Sequence, residues 1–479
     1  MPVQAGTPRS GTRLGNVRVR RARRQPSVVE VRKLKVQRPA RANPLYLVAG
    51  FAALIAAGTV LLALPFATES GDRASLTTAL FTATSAVCVT GLVVVDTADY
   101  WSRFGEAVIL VLIQLGGLGF MTSATVLILV FGGRLTLRQR LVVGETLGRL
   151  GVRRVGQLVR RIVIVTLTIE AVGAALTIAI FMVGESSASP AHAWRGLFTA
   201  VSAFNNAGFD LEGSFASLIG HGRNLPLLTV TGGLVVLGGT GFPVWSDVVR
   251  RRRWSTLSVD TKLVLLTSAA LWSAGAAVIF FFEMRAGGEL RSLDPITRVV
   301  DAIALSVYAR TAGFTVVDVA GLSHATVFFL CGLMFIGGAA ASTAGGIKLT
   351  TFSTLFFAIV TSLRGDEHVT VFQREISWRQ VNRALAIALL SVAIVFVLVF
   401  SLTATSNRIF VELLFEAVSA FGTVGLSTGV TPALDEWGRL TLIAGMFIGR
   451  LGPLTIALAL AGRARTTPLR YPEEVISIG

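Results

Sequence analysis

The sequence has few of the residues that build disulfide frameworks and metal centres. Its only two cysteines are Cys88 and Cys331, and both lie in apolar surroundings. This argues against a disulfide-stapled fold or a zinc site, and we expect both thiols to pack as small apolar groups. The four histidines, at positions 192, 221, 324 and 368, are scattered without the spacing of metal ligands.

Charge is scarce as well. Charged residues make up 15% of the chain, hydrophobic residues 53%, and there are 49 glycines. This composition excludes an ordinary soluble domain and indicates an integral membrane protein. Stretches long enough to cross ~30 Å of hydrocarbon predict eight transmembrane helices. They lie at 45–66, 107–131, 162–183, 225–246, 263–282, 325–347, 384–402 and 440–461.

The positive charge is concentrated at the N-terminus. Residues 1–44 contain twelve Arg or Lys and one acid, Glu30. Nucleic-acid binding is one interpretation of such an arm, but it has almost no aromatic residues for stacking. We favour a disordered cytoplasmic arm near anionic membrane lipids, with no nucleic-acid partner. No small-residue cleavage site follows the first span, which we therefore expect to remain as an anchor.

Basic residues recur after every second span. The positive-inside rule therefore predicts a multi-pass protein of the plasma membrane with both termini in the cytoplasm. The intervening outer segments carry acids, which form either a mildly negative vestibule that concentrates cations or a set of ordinary solvated groups. These acids are Asp96, Asp99, Glu106, Asp210, Glu212, Asp318, Asp435 and Glu436.

Each outer segment contains a similar phrase: TATSAVCVTGL (82–92), TAVSAFNNAGF (199–209), LSVYARTAGF (305–314) and EAVSAFGTVGL (416–426). Their glycines recur at intervals of 117, 105 and 112 residues. With two crossings per unit, this predicts four parallel repeats around one axis. The predicted units are an arm (1–44), repeats 45–131, 132–249, 250–363 and 364–462, and a cytoplasmic tail (463–479).

A short apolar stretch precedes each glycine, at 75–89, 193–205, 295–310 and 408–422. Each is too short to span the membrane and is predicted to be a re-entrant half-helix. Non-helical backbone at membrane depth is tolerated where it lines a hydrated cavity, and glycine can turn carbonyl groups towards a cation. Close helix packing by small residues is the alternative explanation of these glycines.

The predicted K⁺ selectivity filter consists of one triplet from each repeat. Its residues are Val89, Thr90, Gly91, Asn206, Ala207, Gly208, Thr311, Ala312, Gly313, Thr423, Val424 and Gly425. Carbonyl groups without a ring of charged side chains favour K⁺ over Ca²⁺ or Mg²⁺.

A second glycine series lies in the second span of each repeat. In the third repeat, GGAAASTAGGIK is too weak a helix former to continue, and we predict a flexible gate loop over 337–348, with a passive kink as the alternative. In the fourth repeat, Arg450 stands where the other repeats have glycine, which predicts either a gating role or a salt bridge to Glu170. The predicted gate residues are Gly337, Gly338, Ser342, Thr343, Gly345, Gly346, Lys348 and Arg450.

The four filter phrases, STAGGIK, GRLGPLT and the terminal RYPEEVISIG occur in the order found in the Trk/Ktr/HKT superfamily of potassium transporters, and the chain most resembles the membrane subunits (KtrB) of its Ktr branch. The resemblance covers about residues 45 to 479. It implies that Gly91, Gly208, Gly313 and Gly425 form the filter, that 337–348 is the gate, and that Arg450 is its partner across the pore.

The same resemblance implies a homodimer with one pore per subunit and a cytoplasmic KtrA-like ring that binds the regulatory nucleotide. K⁺ is then the substrate, with Na⁺ as a stimulating ion, and glycine rather than serine at position 91 fits a K⁺ preference. An ion-coupled secondary transporter of K⁺ or Na⁺ is the alternative function. No nucleophile–base pair, metal cluster or phosphate loop is visible in the sequence, so we expect neither an enzyme nor a bound cofactor.

Overall fold

A computed structural model describes residues 45–118, 155–184, 189–286, 288–340 and 342–453. The described chain is mostly helical. Its first seven helices are α1 (Leu45–Leu62), α2 (Leu76–Cys88), α3 (Thr97–Tyr100), α4 (Arg103–Gly117), α5 (Val155–Gly184), α6 (Pro190–Asn205) and α7 (Leu225–Thr240). The others are α8 (Phe242–Arg251), α9 (Val259–Ala286), α10 (Pro295–Tyr308), α11 (His324–Phe335), α12 (Leu349–Arg364), α13 (Trp378–Thr405), α14 (Phe410–Gly422) and α15 (Glu436–Leu451).

Five 3₁₀ turns and one hairpin complete the described elements. The turns are Pro65–Ala67, Trp254–Thr256, Glu289–Ser292, Val319–Gly321 and Thr431–Ala433. Strands β1 (Val369–Val371) and β2 (Arg374–Ile376) pair antiparallel, with Val369 opposite Ile376. The turn residues Phe372 and Gln373 both have positive φ, as a two-residue hairpin turn requires. This hairpin is the exception to the expected all-α architecture.

The four predicted half-helices correspond to α2, α6, α10 and α14, with boundaries that agree within three residues. They contain 13, 16, 14 and 13 residues, so each is ~20–24 Å long and too short to cross the hydrocarbon core. Three start at a side-chain cap, in which Ser75, Ser189 or Asp294 accepts a backbone N–H of the first turn. All four are largely buried.

The long helices surround these short ones. Three described helices are long and apolar enough to cross a membrane: Val159–Gly184, Val259–Arg285 and Trp378–Thr405. Only 22–28% of each is buried within the protein. Their outward faces carry large apolar side chains, such as Leu389 and Phe396, as contact with lipid requires.

The prediction of one continuous span over 225–246 is wrong. Helices α7 and α8 meet at an angle of 94°. Gly241 between them has φ +77° and ψ 152°, outside the helical region, and Pro243 starts α8 without a backbone N–H to donate. Counted as one bent element, this pair would be a fourth candidate span.

Several predicted segments extend beyond the described residues. They include the arm 1–44, residues 119–131 of the second predicted span, residues 454–461 of the last, and the tail 463–479. The helix predicted over 325–347 ends at Phe335, and regular helix resumes only at Leu349. The interruption expected from the glycine-rich sequence is therefore present.

Candidate functional site

Each of the four short helices is followed by a residue in the left-handed backbone conformation. Val89, Asn206 and Thr423 cap α2, α6 and α14 with positive φ, and Thr311 takes that conformation after α10. In each case a glycine with positive φ follows two residues later, at 91, 208, 313 and 425. Positive φ is unusual for a β-branched residue, and Val89, Thr311 and Thr423 all adopt it. The sequence indicated the glycines but not the left-handed residue two positions before each of them.

The four glycines form a closed ring. A Cβ atom added to Gly91 would lie within 3.0 Å of the Ala207 carbonyl oxygen, and one on Gly208 would lie 2.8 Å from Gly313 Cα. A Cβ on Gly313 would lie 2.5 Å from the Val424 oxygen, and one on Gly425 would meet the Thr90 oxygen. Each repeat thus touches the next and the fourth touches the first, with no room for a side chain.

Two serines that our sequence reasoning missed hold this ring in place. Ser85 Oγ accepts the N–H of Gly91 and Ser419 Oγ accepts the N–H of Gly425, both at 3.1 Å. Ser202 occupies the same position before Gly208, but its buried hydroxyl has no such partner. The recurrence of serine six residues before three of the glycines is the signal that could have revealed this role.

Two buried carboxylates fix the surroundings of the ring. Glu170 accepts hydrogen bonds from Gln114 Nε2 (2.9 Å) and Asn205 Nδ2 (2.8 Å), which joins α5 to α4 and to the end of α6. Glu416 binds the segment that leaves Gly425. Its Oε1 accepts the Ser427 hydroxyl at 2.7 Å and the Thr428 N–H at 2.8 Å, and its Oε2 accepts the Thr431 hydroxyl at 2.5 Å.

The interrupted segment between α11 and α12 lies directly against the ring. The Gly337 N–H donates to Ile347 O at 2.9 Å, so the two ends of the loop meet. Thr343 Oγ1 donates to Asn206 Oδ1 at 3.0 Å, and the space beside Gly345 is filled by Thr423. All predicted gate-loop residues lie in this segment, and two of its members touch predicted filter residues.

Further bonds close the loop. Its backbone N–H groups at Ala339 and Thr343 donate to Gly239 O (3.0 Å) and Gly238 O (3.3 Å) of α7. Ser342 Oγ donates to Ala339 O at 2.7 Å, and Lys348 Nζ donates to Ala344 O at 2.5 Å. Gly346 has φ +61°, which a residue with a side chain would resist.

Arg450 is buried and joins two distant segments. Its guanidinium donates to the carbonyl oxygen of Thr343 in the predicted gate loop and to that of Gly116 in α4, the latter at 2.5 Å. The alternative prediction of a salt bridge to Glu170 is wrong, because that carboxylate accepts hydrogen bonds from Gln114 and Asn205 instead. The forked guanidinium of arginine can donate to two backbone carbonyls at once, and here it does so instead of pairing with a carboxylate.

The second glycine series has a packing role in three repeats. A Cβ on Gly116, Gly238 or Gly449 would collide with a carbonyl oxygen at the end of a short helix. The carbonyls concerned belong to Val87, Phe204 and Phe421, each four residues before its ring glycine. Glycine is therefore needed for the close approach of these helices.

The outer acids are mostly bound to other protein groups. Glu212 pairs with Arg195 and with His221 Nε2 (3.3 Å), while Asp96 and Asp99 accept the N–H groups of Phe215 and Ser214. Asp210, two residues beyond Gly208, accepts the N–H of Glu212 at 3.1 Å, and burial raises its pKa to about 7, aided by the neighbouring carboxylates. Its charge therefore changes near neutral pH, and the negative vestibule stays a prediction.

The described residues also show the surroundings of the two cysteines. Cys88 and Cys331 are both buried and unpaired. Within the described ranges, no group of three or more His, Cys, Asp or Glu residues is placed to bind a metal ion.

Comparison with known proteins identifies the family of this helical chain. Residues 27–464 match the TrkH family, described as cation transport protein, and the chain belongs to it. This confirms the predicted superfamily. It also confirms that the chain is a transporter rather than an enzyme.

Two relatives are Ktr system potassium uptake proteins B. The one from Bacillus subtilis is 39% identical over 442 residues, covering 91% of this chain and 96% of the relative. The one from Vibrio alginolyticus is 38% identical over 446 residues, covering 91% and 95%. The crystal structure of the potassium transporter TrkH from Vibrio parahaemolyticus is similar in fold, with a TM-score of 0.67, 18% identity, and coverage of 89% of this chain and 86% of that one.

Proposed function

We propose that this chain takes up K⁺ across the plasma membrane by gated, channel-like permeation through the glycine ring. The observation that carries the proposal is the closed contact of Gly91, Gly208, Gly313 and Gly425. The relatives named as potassium uptake proteins support K⁺ as the substrate. An inside-negative potential of 100 mV would contribute ~2.3 kcal/mol per K⁺, enough to drive accumulation without a second ion.

The electrostatics of the ring favour a dehydrated monovalent cation. Four helix C-termini, each with partial negative charge, end three to five residues before the ring glycines. The triplets present backbone oxygens and uncharged side chains, so the field is weaker than a carboxylate cage would supply. We assign the twelve triplet residues to the filter. Four parallel repeats with eight membrane crossings belong to the same proposal, with the crossings over 225–246 and 325–347 made by broken helices.

The gate of this pathway is proposed to be the loop 337–348 together with Arg450. The loop touches Asn206 and Thr423 and has few large side chains, so it can block the path beneath the ring. Opening requires the hydrogen bonds that join the loop to Arg450 and to the carbonyls of α7 to break. Motion of a short loop with several glycines fits this requirement better than movement of a rigid helix.

Assembly and regulation follow from the Ktr relatives. We propose a homodimer, regulated by a cytoplasmic KtrA-like ring that binds the nucleotide, with Na⁺ as a stimulating ion. The two relatives are named as components of Ktr systems, which supports the existence of a further subunit. Both termini of this chain are proposed to face the cytoplasm, where such a ring would dock.

Purified protein in liposomes tests the function. We expect K⁺ flux that follows the electrochemical gradient, continues without a gradient of H⁺ or Na⁺, and exceeds Na⁺ flux. A flux that stops unless H⁺ or Na⁺ moves with K⁺ would instead support the ion-coupled secondary transporter. Addition of the regulatory subunit with nucleotide should raise the rate without changing the ion preference.

The pKa of Asp210 predicts a dependence on external pH. Because burial raises it to about 7, the carboxyl is neutral at pH 6 and anionic at pH 8. An added negative charge beyond Gly208 attracts cations, so K⁺ influx at subsaturating K⁺ should increase over this range. Asp210→Asn should flatten the profile. The control Asp318→Asn, on a side chain that caps the 3₁₀ turn Val319–Gly321, should leave the profile unchanged.

A further inference from the structure

A small cavity lies behind the third ring segment and beside the gate loop. It leaves about 10 Å³ for the centre of a water-sized guest. Its polar lining comes mainly from Arg310, Trp272, Ser268, Thr240 and Asn206. Among the described residues, none that lines it is acidic. A guest here would meet hydrogen-bond donors and no carboxylate.

Arg310 supplies most of the unused donors. The side chain is 5% exposed, and its Nη2 donates to Gly337 O at 2.8 Å. Its Nε and Nη1 have no hydrogen-bond partner in the described structure, and neither has Trp272 Nε1. The guanidinium carbon lies 5.6 Å from the centre of the Trp272 ring. Three buried donor nitrogens without acceptors are costly, so an acceptor in the cavity is expected.

The acceptor must also compensate the positive charge of Arg310. The described ion pairs include none to Arg310, and its buried guanidinium lies against the carbonyl of Gly337 and the ring of Trp272. A water molecule would satisfy the N–H groups but leave the positive charge uncompensated, whereas an anion would do both. The available space admits one guest of about the size of a water molecule, so among anions only a small monatomic one such as chloride could enter.

We infer that the Arg310–Trp272 cavity binds one monovalent anion of chloride size. Arg310 directly precedes Thr311 of the ring and also holds Gly337 at the start of the gate loop. A bound anion cancels a positive charge beside the cation path and fixes the side chain that joins these two segments. The binding itself does not depend on which cation the ring conducts.

Bromide provides the direct test. Crystals of the full-length protein grown in bromide should show one anomalous peak beside Arg310 and Trp272. In solution, replacing gluconate by chloride at constant K⁺ should raise the melting temperature, because the anion binds the folded state. An ordered water with no bromide peak at this place would overturn the inference.

A matched pair of tryptophan variants sharpens the test. Trp272→Phe removes one donor and keeps an aromatic ring, so chloride affinity, measured from the melting shift, should fall about tenfold. Trp378→Phe is the control, because its indole N–H donates to Glu367 O on the exposed surface. Arg310→Gln should abolish the bromide peak. Equal chloride affinity in the wild type and both cavity variants would contradict the assignment.

Discussion

Replacing Gly91 by serine is expected to lower the K⁺/Na⁺ selectivity of transport about tenfold, which equals ~1.4 kcal/mol of differential binding. Gly91 has φ +91°, and an added Cβ would strike the carbonyl oxygen of Ala207 in the next repeat. The ring must widen or tilt that carbonyl to admit the side chain. Because every segment touches its neighbour, the distortion reaches the site where a dehydrated K⁺ would sit.

A matched variant at Gly220 separates the steric collision of the new side chain from the strain of a positive φ. Gly220 has φ +90°, almost the same as Gly91, but nothing lies within 4 Å of its added Cβ. Gly220→Ser therefore carries the same strain, of ~1–3 kcal/mol, without touching the ring. Ion flux of both variants in liposomes under paired K⁺ and Na⁺ gradients gives the comparison. Unchanged selectivity in Gly91→Ser, with folding intact, would remove Gly91 from the filter.

The positions of the short helices could be predicted because their signals are local. An apolar stretch too short to span, ended by a glycine, is enough to specify a helix and its C-terminus. The conformation of the residue two positions before each glycine was not predictable in the same way. Val89 and Thr423 adopt positive φ against their own preference, since the contacts of the assembled ring outweigh local propensity.

Partners distant in the chain were the least predictable. Arg450 and Thr343 are 107 residues apart, and Arg450 and Gly116 are 334 apart. A sequence shows that a buried arginine needs acceptors, but it does not show whether they are carboxylates or carbonyls. The same limit explains why the role of Glu170 stayed open and why the binding of Glu416 to Ser427, Thr428 and Thr431 was missed.

The third repeat differs from the others in the spacing between its serine and its ring glycine. Serine precedes the ring glycine by six residues in the first, second and fourth repeats, but Ser306 precedes Gly313 by seven. The added residue changes the end of α10, where Ala309 remains right-handed and Thr311 takes positive φ. It also brings Arg310 to the carbonyl of Gly337. The repeat with the extra residue is thus the one that carries the interrupted loop.

Replacing Arg450 by alanine is expected to raise K⁺ leak through the protein without its regulatory partner by about 10- to 100-fold. The guanidinium is hydrogen-bonded to Thr343 O in the loop and Gly116 O in α4, so it holds the loop to the opposite side of the bundle. Each hydrogen bond from a charged group contributes ~1.5–3 kcal/mol, and losing such contacts shifts a two-state gate towards open by this range. Arg450→Lys should give an intermediate leak, since a single ammonium lacks the fork that reaches both carbonyls.

Arg439→Ala is the control for the loss of an arginine from the same helix. Arg439 also donates to two backbone carbonyls, of Leu434 and Pro432, both at 3.0 Å, but at the outer end of α15 and away from the loop. Its removal should lower stability while leaving the leak rate unchanged. Liposome flux measured beside the melting temperature separates the two effects. If Arg450→Ala and Arg439→Ala leak equally, or neither leaks, Arg450 only stabilises the bundle and the gate must lie elsewhere.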